Sequence, residues 1–90
     1  MQDLMKILGN FVNEMDSEEF RQKIRAGLFA ELEPFLVFLP EDYVKKLKKT
    51  SFAVVKKFLE KNCKEKAKII FEEKRWEFLE KEFDRLKKKL

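Results

Sequence analysis

The sequence predicts an all-α protein, a small domain of four helices, and three observations carry that expectation. Apolar residues recur at three- and four-residue intervals along most of the 90 residues. Glycine and proline number two each, too few for the many turns of a β fold. Helix-start signals punctuate the chain at Asp16, Pro40 and Asn62.

The first helix is predicted over 2–15, where Leu4, Ile7, Leu8, Phe11, Val12 and Met15 form one stripe. Gly9 lowers its propensity. Asp16 and Glu19 have the spacing of a capping box, in which side chains satisfy free amides of the first turn. They open a second helix with Phe20, Ile24, Leu28 and Leu32 on one face. Gly27 on that face weakens the helix but admits a close neighbour. Pro34 is expected to kink or end it, since proline lacks the amide hydrogen and crowds the preceding turn.

Pro40, Glu41 and Asp42 suit a third helix start: a proline near the first position, then acids at the positive end of the macrodipole. Val44, Leu47, Val54, Val55 and Phe58 project onto one face, and the phase runs through Thr50 and Ser51. One helix over 41–61 is the simpler reading. A split at 48–51 gives a helix-turn-helix with 51–61 as the recognition element, but that turn has neither the usual glycine nor an apolar plug. A break is expected at Asn62 to Glu65, again at capping-box spacing. The fourth helix then runs to the end, where Lys87, Lys88 and Lys89 complement its negative pole. The third and fourth helices are the longest, and 1–90 reads as a single domain.

Two apolar features exceed what a simple amphipathic pattern needs. Phe35, Leu36, Val37, Phe38 and Leu39 form a run between Pro34 and Pro40. As a lone strand it would have nothing to pair with, so a short helical turn is expected. A helical piece apolar all round must be covered on all sides. In the last helix, Ile69, Trp76, Leu79, Phe83, Leu86 and Leu90 make one stripe, while Ala67, Phe71 and Phe78 lie roughly opposite. The 76-79-83-86-90 spacing resembles a coiled-coil edge, flanked by ion-pair spacings such as Glu77 to Lys81. A chain this short has limited core volume. The expectation is therefore an interface built from Phe35, Leu36, Val37, Phe38, Leu39, Trp76, Leu79, Phe83 and Leu86, used in a homodimer or against another protein.

The charge is asymmetric. Residues 1–42 carry four basic and nine acidic groups, a net of −5, whereas 43–90 carry seventeen and eight, a net of +9. Such polarity serves an anionic partner or a second copy of the chain. On one continuous helix Lys45, Lys49 and Lys56 lie within about 40° of each other, with Lys46 and Lys57 adjoining. That stripe, extended by Lys64 and Lys68, is the alternative: a nucleic-acid-binding surface whose lysines release counterions from phosphates. The ordinary solvated face of a lysine-rich, thermophile-like chain explains the same residues.

Catalysis, cofactors and metals find no support in the sequence. Histidine is absent, no serine or cysteine has a base beside it, and no glycine-rich phosphate loop occurs. Glu72, Glu73, Glu77 and Glu80 are interspersed with Lys74 and Lys81, as on a solvated face. Cys63 is the only cysteine, so no intrachain disulfide forms and a reducing cytoplasm is expected. The longest uncharged apolar run falls short of a membrane span, and the first residues lack a signal peptide's basic start. A basic amphipathic helix at 44–59 suits an anionic lipid surface, but the fold needs that apolar face for itself.

Overall fold

The computed structural model describes residues 4–36 and 38–90, with the side chain of Leu36 excepted. Among these residues the structure is all-α: α1 (Leu4–Glu14), α2 (Ser17–Ala26), α3 (Leu28–Leu36), α4 (Glu41–Lys49), α5 (Phe52–Asn62), α6 (Lys64–Glu72) and α7 (Trp76–Lys89). Four helices were expected and seven are found, because each of the last three expected helices breaks once. The longest is α7, with 14 residues; the expected third helix becomes two shorter ones.

The starts at Asp16 and Pro40 hold, whereas Asn62 is the last residue of α5 and its side-chain amide donates to the Phe58 carbonyl instead of capping the next helix. Asp16 caps α2, its carboxylate accepting from the Glu19 amide at 2.8 Å. The Pro40 carbonyl receives the first amides of α4, from Tyr43 and Val44. The chain breaks at Cys63, with φ −132° and ψ 55°, between α5 and α6. Pro34 does not end its helix. It sits one turn from the C-terminus of α3, which continues to Leu36, so at most one carbonyl bond is forfeited.

Each of the three additional breaks is held by a charged side chain from far along the chain, and the one at Thr50 is the 48–51 split, the alternative to one helix over 41–61. At Gly27, φ is +126°, a value costly for any residue with a Cβ, and the α2 stripe stops there. Glu82 of α7 reaches across to the start of the next helix, where its carboxylate accepts the Phe29 amide. At Thr50 the backbone turns extended; its free carbonyl accepts from Lys87 Nζ at 2.9 Å. At the α6–α7 corner Lys74 takes a left-handed φ of 56°. There Arg25 of α2 clamps Glu73 through two bonds, 3.0 Å from Nε and 2.7 Å from Nη2.

Helix α5 packs against α1, α6 and α7, while α3 lies along α7 and α2 along both α6 and α3. Phe20, Ile24, Leu28, Leu59, Ile70, Leu79 and Phe83 are fully buried, each stabilising the fold by roughly 1.5–3 kcal/mol. Phe29, Phe52, Phe83 and Trp76 form an aromatic cluster, with centroid separations between 5.3 and 6.4 Å. Gly9 lets α1 meet α5: a Cβ there would lie 2.9 Å from the Phe58 ring.

Candidate association surface

Within the Phe35–Leu39 run, expected to be covered by the fold or by another chain, the fold leaves both phenylalanines uncovered. Phe35 is on the last turn of α3, and the Phe38 amide bonds back to the Phe35 carbonyl at 3.3 Å to close a turn. This leaves Phe35 66% and Phe38 86% exposed, with Leu39 half-buried. Val37 and the Leu36 side chain, also expected at the interface, lie outside what is described.

Beside these phenylalanines a cavity of about 90 Å³ opens between α1, α3 and α4. Every side chain lining it is apolar, among them Leu4, Leu8, Leu32, Phe35, Leu39 and Leu47. It is smaller than the dry cavity of about 150 Å³ that holds a benzene ring. It suits the end of one inserted apolar side chain. Helix α4, which supplies Leu47, carries Glu41 and Asp42 in its first turn and Lys46, Lys48 and Lys49 in its last. It is therefore negative at one end and positive at the other.

The second half of the expected interface belongs to the core, with Phe83 and Leu86 lining the same cavity from within. Leu79 and Phe83 are 1% exposed and Leu86 5%, all inside the chain's own core. Their partners come from the other helices of the same molecule, with Phe83 packed against Phe29 and Phe52. The regular spacing was real, but the break at Thr50 and the turn at Gly27 fold enough helices over α7 to cover its stripe. Trp76 is half-buried at the start of α7, 6.2 Å from Phe52 by ring centroids, with Lys56 Nζ 5.2 Å from its ring.

The five stripe lysines are not gathered on one helix face, because the helix that would align them ends at Lys49. Lys45 pairs with Glu41 at 3.7 Å. Lys46 and Lys49 line a groove with Leu4, Met5, Thr50 and Val54. Lys56 lies instead beside Trp76, in a groove with Lys64 and Lys68, and Lys57 is exposed. What the spacing could not reveal is that Phe71, 73% exposed, joins this second group.

Cys63 is buried, its thiol 4.0 Å from the Gly9 carbonyl. Burial pushes its pKa up, against the smaller opposing effects of Asn13 and Lys66. Among the described residues no cluster of three or more His, Cys, Asp or Glu could hold a metal ion, and no helix is long and apolar enough to cross a membrane. No family model matches the chain, and neither the curated proteins nor the solved structures contain a match.

Proposed function

We propose that this protein is a non-enzymatic association module that pairs with a second copy of itself through the α3–α4 corner. The carrying observation is Phe38, 86% exposed beside an apolar cavity lined in part by its chain neighbours Phe35 and Leu39. A two-fold interface needs the same patch to supply both the inserting group and the pocket that receives it. Phe38 and the cavity meet that need within a few residues.

Charge supports the same partner. Two α4 helices related by a two-fold axis and running antiparallel set Glu41 and Asp42 of each copy opposite the lysines at the other's end. A parallel arrangement would set like charges together. Desolvating two phenylalanines per copy supplies the buried aromatic centre that effective interfaces have.

Sedimentation of the full chain over a concentration series tests the reading. The expected result is a dimer that Phe38→Asp converts to monomer with its helical circular dichroism unchanged. A native chain that stays monomeric at high micromolar concentration sinks the proposal.

A further inference from the structure

The corner where α5, α6 and α7 meet combines the exposed ring of Phe71 and the half-buried ring of Trp76 with ammonium groups. A groove of about 390 Å³ there is lined by Lys56, Glu60, Lys64, Lys68, Phe71 and Trp76, among others. Lys64 and Lys68 are four residues apart on α6, about 6 Å along its axis, and both are exposed. Among the described residues neither is engaged in an ion pair. Phe71 is the large side chain of α6 left in solvent, whereas its neighbours Ile69 and Ile70 are buried.

We propose that this groove binds single-stranded nucleic acid, with a base stacked on Phe71 and Trp76 and the phosphates held by Lys56, Lys64 and Lys68. Aromatic faces beside a cationic track bind single strands because every base offers a π-face and every linkage a negative charge. A duplex hides its base faces, so the two rings would be wasted on it. The acids give the groove a direction. Glu60 is the one carboxylate in its wall, and Glu77 and Glu80 line the adjoining groove across Trp76. They repel phosphate from the α7 side and keep the backbone along α6. The ligand is thus an unpaired strand lying over one corner. This site is separate from the α3–α4 corner and does not rest on dimer formation.

Trp76 is the only tryptophan, so its emission reports from the groove without a label. The full chain is titrated with a 12-nucleotide oligo(dT) and oligo(rU). Saturable quenching is expected. Three phosphate contacts at a salt slope of about −0.7 each predict that affinity falls roughly 20-fold between 50 and 200 mM salt. Phe71→Ala is expected to weaken binding roughly tenfold, and Lys64→Glu with Lys68→Glu to abolish quenching. All three positions are exposed, so these variants keep the fold, which the free protein's circular dichroism and Trp76 emission check. No quenching at 50 mM salt overturns the proposal. So does equal affinity for duplex DNA, polyphosphate, poly-glutamate or free mononucleotide, each of which would mean that an unpaired strand is not what the groove selects.

Discussion

Two apolar segments have opposite fates in this molecule. The α7 stripe of Leu79, Phe83 and Leu86 has the regular spacing of a helix seam, and it is buried within the chain. The Phe35–Leu39 run has no periodicity, and its two phenylalanines face solvent. A periodic stripe leaves the other helix faces polar, so neighbours can cover it one at a time. A run that is apolar on every side needs cover from all directions at once. Pro40 makes that harder, because it fixes the backbone of the chain leaving the run. Regularity marks the side that the fold consumes, and the phenylalanines of the irregular run are what it leaves exposed.

The contrast is tested hardest by removing one large side chain from the buried stripe. Phe83 contacts Phe29 and Phe52, and Lys87 Nζ sits 5.1 Å from its ring. Phe83→Ala is expected to lower unfolding stability by about 3–5 kcal/mol, through lost transfer energy and the cavity left behind. Urea denaturation measures it. If the stripe were instead an interface, the loss would be small for the isolated chain and would depend on protein concentration.

A smaller effect tests how α3, which delivers Phe35 to the surface, is anchored. Glu82→Ala leaves the Phe29 amide without its acceptor and is expected to cost about 1–2 kcal/mol, as for loss of a helix cap. Glu82 also gives a pH signature. Its pKa is raised, chiefly by burial, although the Phe29 and Ala30 amides act against this. A carboxyl whose pKa is higher folded than unfolded contributes stability that is full below its unfolded value and lost as pH rises through the folded one. Glu73 has the opposite sign, held low first by its hydrogen bond to Arg25. Its contribution is present above the unfolded value and lost as pH falls through the folded one. The stability of the native chain relative to Glu82→Gln should therefore be greatest below the ordinary carboxylate range and shrink as pH rises through the raised pKa of Glu82. A constant difference would count against the buried carboxylate.

The fold class, the first helix, the Asp16 cap, the start at Pro40 and the break at Cys63 were all legible, because each rests on spacing or on residues within one turn. The breaks at Gly27 and Glu73–Arg75 were not, and the one at Thr50 was legible only as the alternative split at 48–51. Their stabilising partners lie 53, 37 and 48 residues away, and local phase carries no trace of them. Uninterrupted phase through Thr50 and Ser51 was the stronger signal, and it misled. The same limit applies to the surfaces. Lys45 to Lys57 looked continuous on an unbroken helix, whereas Lys56, Lys64, Lys68 and Phe71 meet only because α5 and α6 fold back at Cys63.

The smallest expected effect is the most discriminating. Phe35 and Phe38 are mostly exposed, so Phe38→Ser should change the stability of the isolated chain by no more than about 0.5 kcal/mol. The variant still differs from the native protein in one respect. A dimer is favoured by mass action over the unfolded chain, so the native melting temperature should rise with protein concentration. For Phe38→Ser it should not. Melts spanning a hundredfold range of concentration would show two curves that coincide when dilute and diverge when concentrated. If Phe38→Ser instead unfolds the dilute chain, the side chain belongs to the core, and the α3–α4 corner has been consumed by the fold as fully as the α7 stripe.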